Sequence, residues 1–160
     1  MDHPLWAPVL AISVLLASCG STNLARPPEA RAKLLALHDE VMRAHRESNV
    51  ELLLRSEAPD TLSANRGQIT QPTLEERRTR FQQYLATTRF SEYIDVVPPV
   101  VRVSDDGSLG WVIVQVRAAG VQTTQDGGSK PLAFESAWIE LYEHRGGSWY
   151  RVGNVSNFKP

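Results

Sequence analysis

The chain has 160 residues, with 17 basic and 18 acidic side chains and a formal net charge of −1. This balance leaves no basic stripe of the kind that nucleic acid requires, so we expect no nucleic-acid partner. The single cysteine, Cys19, excludes an intrachain disulfide and a zinc cluster built on thiolates. No motif for a metal or a cofactor is present in the sequence, and we expect neither.

The N-terminal segment predicts a membrane anchor. Its apolar run, residues 5–16, suits a signal-peptide core and is shorter than the ~20 residues of a membrane-spanning helix. The stretch Leu16-Ala17-Ser18-Cys19 follows and resembles the lipobox of bacterial lipoproteins, in which the cysteine takes a lipid. The alternatives are an ordinary secretory signal with Cys19 near the cleavage site by chance and, less favoured because of the length of the run, an uncleaved membrane helix.

The lipobox resemblance implies a division of the chain. Residues 1–18 are the signal peptide, residues 19–28 are the lipidated Cys19 with a polar tether, and residues 29–160 are one folded domain. The protein is then held in the bacterial cell envelope by lipid on Cys19, facing the periplasm or the exterior. The outer membrane is favoured where one exists, because the residue after Cys19 is not Asp.

The first half of the domain predicts three helices. Apolar residues recur at helical spacing over residues 28–48. Asn49 is a typical N-cap for a short helix over residues 50–55. The capping-box pattern of Thr73 and Glu76 predicts a third helix that ends near Thr88, with Leu74, Phe81 and Leu85 on its buried face.

The second half predicts strands. A short extended piece over residues 61–65 comes before the third helix, and residues 93–103 form a strand that Pro98-Pro99 interrupts. Turn signals then separate three long β-prone segments, residues 109–121, 132–144 and 148–158. This order predicts an α+β fold, with three N-terminal helices packed on a strongly bent antiparallel sheet of long hairpins.

The element order and several short segments resemble the nuclear transport factor 2-like (NTF2-like) superfamily, the SnoaL-like group in particular. The segments that carry the resemblance are residues 60–67, Phe90 with Tyr93, residues 104–107, Ala137-Trp138, residues 147–149 and residues 153–157. The resemblance implies a cone with a pocket between the bent sheet and the helices. Functions on this fold range from isomerases and cyclases to ligand carriers and interaction modules.

Transfer of the ketosteroid-isomerase mechanism is not supported by the sequence. That branch needs a carboxylate base at the turn after the first strand, where this chain has Ala64-Asn65-Arg66-Gly67. The Asn65 amide cannot take up a proton at neutral pH. The sequence therefore leans against an enzyme.

Other carboxylates are candidates for a role in the pocket. Asp60 opens the first strand, where a turn or capping role is favoured. Glu135 and Glu140 are an odd number of residues apart on one strand, so they point to opposite faces and one can face the pocket. The favoured alternative is a cross-strand ion pair with Arg117 or Arg151.

Two histidines lie on the first predicted helix. His38 and His45 are seven residues apart. Two histidines that bind one metal ion from the same helix are usually three or four residues apart, so no joint metal site is predicted. His45 is a candidate for a catalytic group, as a hydrogen-bond donor or proton carrier in the pocket. The alternative without a functional role is a histidine at the surface or at the edge of the core.

We expect the pocket to be lined by aromatic and amide side chains: Asn65, Tyr84, Trp111, Gln115, Trp138, Asn154 and Asn157. Both faces of residues 132–144 are largely apolar, which predicts that one face packs on the helices. The outer face is then covered or pairs with a second copy of the chain as a homodimer.

Three functions fit these observations. The first is a membrane-anchored domain that binds a small apolar or aromatic molecule in its cone. The second is a cofactor-independent SnoaL-like enzyme of isomerase, cyclase or lyase type, with His45 or a strand carboxylate as the base. The third is an envelope protein-interaction module that uses the outer sheet face.

Overall fold

The structure, a computed structural model, describes residues 27–159. The predicted signal peptide, Cys19 and most of the tether lie outside the described residues. Within them, three helices and seven strands follow in this order: α1 (Pro27–Glu47), α2 (Val50–Leu54), β1 (Glu57–Asn65), β2 (Gln68–Thr70), α3 (Leu74–Thr87), β3 (Thr88–Asp95), β4 (Val100–Val103), β5 (Leu109–Thr123), β6 (Ser129–Arg145) and β7 (Ser148–Lys159). None of these helices is long and apolar enough to cross a membrane.

The helix ends confirm the predicted caps. The Asn49 side chain accepts a hydrogen bond from the Leu52 N–H at 3.0 Å, which satisfies one of the orphan donors at the start of α2. Thr73 and Glu76 form the capping box of α3: Thr73 Oγ1 accepts from the Glu76 N–H at 3.2 Å, and Glu76 Oε2 accepts from the Thr73 N–H at 2.7 Å.

The strands of residues 27–159 form one sheet in the order β2-β1-β7-β6-β5-β3, with β4 also paired to β5. The predicted α+β class is confirmed, and β5, β6 and β7 are joined as antiparallel hairpins. The prediction of a purely antiparallel sheet needs one correction, because β1 runs parallel to β7. The chain passes through β2, α3 and β3 to β6 between these two strands, so no hairpin sets their relative direction.

The segment over residues 93–103 forms two strands rather than one interrupted strand. β3 and β4 both pair antiparallel with β5, and the chain between them contains Pro98-Pro99. Proline has no backbone N–H to donate to a neighbouring strand, so the ladder cannot continue through this pair.

Irregular pairing bends the sheet. The register of β3 on β5 shifts between Phe90 and Glu92, and a second shift interrupts the β6–β7 pair. At the first shift Gly120 approaches the β3 backbone so closely that a Cβ there would lie 2.1 Å from the Arg89 carbonyl oxygen. Bulges increase strand bending, so the sheet curves around the helices.

Strand alternation gives the sheet an inner and an outer face. On β5, Val112, Val114 and Val116 are buried on the inner face, in the core that α1 covers with Leu34. The intervening side chains, such as Ile113, point to the outer face. On β6 the even-numbered residues from Ser136 to Tyr142 lie on the inner face in the same way.

Candidate ligand cavity

A cavity of about 500 Å³ lies between the helices and the inner face of β1, β6 and β7. One wall is aromatic and is built by Phe81, Tyr84, Tyr93 and Trp138. The two rings of α3, Phe81 and Tyr84, are three residues apart, so they lie on the same side of the helix, where they are half-buried. Apolar walls with a few polar groups are typical of sites that hold small molecules.

A buried ion-pair cluster forms part of the lining. Glu57 on β1 forms an ion pair with Arg77 on α3, with Nε and Oε2 2.7 Å apart, and accepts a hydrogen bond from the Nη2 of Arg151 on β7. The three side chains are only 3–7% exposed. Charges at this depth require pairing, and Arg77 also donates to the backbone oxygens of Pro72 and Ala58 at 2.7 and 2.8 Å.

A second buried network surrounds Glu140, which lines the cavity and has no exposed surface. Its carboxylate accepts from Tyr142 Oη at 2.7 Å, from Trp138 Nε1 at 3.0 Å and from His38 Nδ1 at 3.1 Å. Burial raises the pKa of Glu140, but the hydrogen bond and the charge of His38, together with the charge of Arg151 and the hydrogen bond from Trp138, outweigh burial and bring the pKa down to about 2. Glu140 is therefore ionised at neutral pH.

His38 bridges two carboxylates. Its Nδ1 donates to Glu140, and its Nε2 lies 3.1 Å from Asp95 Oδ1. Burial lowers the pKa of His38, but the hydrogen bond and charge of Glu140, followed by the charge of Asp95, outweigh burial and raise it. Both ring nitrogens can donate only when the imidazole is protonated, which agrees with the raised pKa.

His45 lines the cavity and differs from His38 in charge. Its ring stacks on Tyr93 with centroids 4.4 Å apart, and its Nδ1 donates to the Val41 carbonyl at 2.8 Å. Burial lowers the pKa of His45 to about 4, so the imidazole is neutral at pH 7. Because Nδ1 carries the proton, Nε2 holds the lone pair and is an acceptor.

The structure brings five of the eight sequence-predicted site residues to the cavity: His45, Asn65, Tyr84, Trp138 and Asn154. Within the described residues, Asn65 Oδ1 is buried without a hydrogen-bond partner.

The other three predicted residues do not line it, which corrects the prediction. Trp111 and Gln115 alternate with the buried valines of β5 and so lie on the outer face. On β7, Asn154 and Ser156 face the cavity. Asn157 is exposed and, by strand alternation, points to the opposite face.

Glu135 and Glu140 lie on opposite faces of the sheet, as strand alternation requires. Glu140 faces inward, and Glu135 lies on the outer face, where its Oε1 accepts from Arg117 Nε at 3.0 Å. Asp60 pairs with Arg145 at the surface, with Oδ1 and Nη1 3.0 Å apart, in agreement with a local structural role.

Sequence reasoning missed the ion-pair cluster and the role of His38. His38 and Glu140 are 102 residues apart, and Glu57 and Arg151 are 94 residues apart, so no local pattern signals either pair. Arg77 lies among the other arginines of α3, where it has no distinguishing mark. In residues 27–159 no three His, Cys, Asp or Glu side chains are placed to hold a metal ion.

No family model and no curated protein matches this chain. Solved structures match its fold. An NTF2-like protein from Cytophaga hutchinsonii has a TM-score of 0.64 at 14% identity, covering 81% of this chain and 98% of that chain. An NTF2-like protein of unknown function in nutrient uptake from Rhodospirillum rubrum has a TM-score of 0.62 at 15% identity, covering 79% and 98%.

A ketosteroid isomerase-like protein from Erwinia carotovora atroseptica has a TM-score of 0.59 at 16% identity, covering 82% of this chain and 98% of that chain. The architecture of residues 27–159 and these matches agree with each other. The described domain has the NTF2-like fold.

Proposed function

We propose that this domain is a binding module for a small molecule with an aromatic or apolar body. The observation that carries the proposal is the cavity of about 500 Å³, which lies within the roughly 300–1,000 Å³ of small-molecule sites. Its aromatic wall offers ring faces to a flat or apolar body. Of the polar groups beside that wall, Glu140 is held in place by its own hydrogen bonds, whereas the buried Oδ1 of Asn65 has no partner in the described residues and can accept from a ligand.

The ionisation of the lining favours binding over general acid–base catalysis. A catalytic acid or base works best with a pKa near the working pH. Here the pKa of His45 is lowered to about 4 and that of Glu140 to about 2, whereas burial raises the pKa of Tyr84 to about 12. Each of these pKa values lies far from 7, so none of the three groups exchanges a proton readily at neutral pH. The alternative is an enzyme with His45 as the base, which rests on the lone pair of its Nε2.

A pair of adjacent residues on β7 tests the proposal. Ser156 lines the cavity, whereas Asn157 is exposed on the outer face. Ser156→Trp fills the cavity, and Asn157→Trp adds the same ring outside it. We expect aromatic probes such as 2-naphthol to raise the Tm of the wild type and of Asn157→Trp by mass action, and to leave Ser156→Trp unchanged. Equal shifts in the two variants, or no shift in the wild type, would contradict binding in this cavity.

We also propose that Cys19 anchors the protein in the cell envelope through lipid, on the strength of the Leu16–Cys19 pattern. Stable anchoring takes more than one acyl chain, as a lipoprotein cysteine carries. Cys19→Ser is expected to move the protein from the membrane fraction to the soluble fraction. Unchanged partitioning would rule out this anchor.

The outer face supports a further proposal, pairing with a second copy of the chain. Strand register aligns Val100, Ile113, Ile139 and Val155 in one row across four strands, and three of these side chains are 39–46% exposed. Exposed apolar patches can mark protein–protein interaction sites, and one patch can meet its own copy about a two-fold axis. Ile113→Lys should convert a dimer to a monomer in light scattering; a wild-type monomer would refute the pairing.

A further inference from the structure

The lining of the cavity carries more positive than negative charge. Arg66, Arg77, Arg80 and Arg151 line it, against two carboxylates, those of Glu57 and Glu140, and His45 is neutral at pH 7. Low-dielectric walls strengthen the field of such an imbalance inside a concave site. The interior is therefore favourable for an anion and unfavourable for a cation.

Hydrogen bonding points the same way. Glu57 Oε1 accepts from Arg151, Glu57 Oε2 lies 2.7 Å from Arg77 Nε in an ion pair, and both oxygens of Glu140 accept from neighbouring side chains. The two carboxylates thus have little acceptor capacity left for a hydrogen-bond donor on the ligand.

The cationic side chains have donor capacity left. Arg151 is buried and lines the cavity, and its Nε has no hydrogen-bond partner in the described part of the chain. A buried donor on a cation is best satisfied by a negatively charged acceptor.

A rim cation lies beside the aromatic wall. Arg80 is exposed, lines the cavity, and places its guanidinium carbon 5.4 Å from the centroid of the Phe81 ring. A ligand whose body stacks on this wall would bring a charged end within reach of Arg80 and of the buried arginines. The ring and the cation already contact each other, so little ordering of this pair is needed on binding.

We propose that the ligand is a small aromatic carboxylate, held by its charge against the cavity arginines and by its rings against the aromatic wall. This inference rests on the proposed binding function and narrows it to one chemical class.

The test uses two probes that differ only in charge, naphthalene-2-carboxylate and naphthalene-2-carboxamide, titrated into the full chain by calorimetry at pH 7.5. We expect the carboxylate to bind at least tenfold more tightly, with an advantage that shrinks as salt rises because exposed charges are screened. Equal affinities, or a tighter amide, would overturn the carboxylate inference and leave the binding function standing. If neither probe binds, the proposed function and this inference both fail.

Arg80→Gln and Arg117→Gln form the matched pair of variants. Arg80 is on the cavity rim, whereas Arg117 pairs with Glu135 on the outer face. Both residues are exposed, so neither substitution disturbs the core. Arg80→Gln should weaken the carboxylate three- to tenfold and the amide less than twofold, and Arg117→Gln should change neither. A uniform loss for both probes in Arg80→Gln would contradict a charge-based role for this side chain.

Discussion

Replacing Glu140 with Gln removes the charge of a fully buried carboxylate and keeps the size of the side chain. The native carboxylate accepts from His38, Trp138 and Tyr142. An amide has only one acceptor oxygen, so at least one of these donors loses its partner. The His38 cation also keeps only Asp95 as a counter-charge.

The expected cost follows from the pKa of Glu140. The fall from its ordinary value of 4.5 to about 2 corresponds to about 3 kcal/mol of stability. Breaking one partner from a buried ion pair costs about 3–5 kcal/mol, which agrees. Because the folded-state pKa is lowered, this stabilisation is present above pH ~4.5 and is lost as the pH falls through about 2.

Urea unfolding followed by tryptophan fluorescence measures the free energy of unfolding. The control is Glu135→Gln, on the same strand but in an exposed pair with Arg117, where a cost of about 0–1 kcal/mol is expected. At pH 7 Glu140→Gln should lose about 3 kcal/mol, and its deficit should narrow below pH 4.5. A deficit no larger than that of the control, or one that stays constant down to pH 2.5, would refute the reasoning.

Two other substitutions test neighbouring features. His45 has a folded-state pKa of about 4 instead of 6.5, so the unfolded chain binds more protons between these values and acidification destabilises the fold by up to about 3 kcal/mol. His45→Phe should lose less stability than the wild type between pH 6.5 and pH 4 in thermal melts, and parallel pH profiles would show that His45 is not buried neutral. Gly120→Ala should cost roughly 1–3 kcal/mol, since its Cβ would lie 2.1 Å from the Arg89 carbonyl oxygen; an unchanged Tm would mean that β3 moves away freely.

Local signals were enough to predict most of the fold. The caps at Asn49 and Thr73 are interactions within three residues, and hairpin turns join neighbouring strands, so each is visible in a short window of sequence. The parallel β1–β7 pair was not predictable in this way. It joins strands that are far apart in the chain, and no turn between them fixes their direction.

The candidate site was harder to predict because it depends on which face of each strand is concave. Alternation put Trp138 and Glu140 on one face and Glu135 on the other, but it did not say which face the helices cover. The prediction mixed the two faces: Trp138 lies inside, whereas Trp111 and Gln115 lie outside. A single sequence reports periodicity and leaves the sign of sheet curvature open.

The β1–β7 pairing also affects the order in which the molecule can be assembled. Glu57 and Arg151 are register partners in that pair, 94 residues apart in the chain. As the chain is synthesised, Glu57 and Arg77 emerge early and have no third member of their cluster until β7 follows. Contacts over such separations form slowly. The cavity is therefore among the last features to form, and a chain released before β7 would display its helices with one wall of the cavity missing.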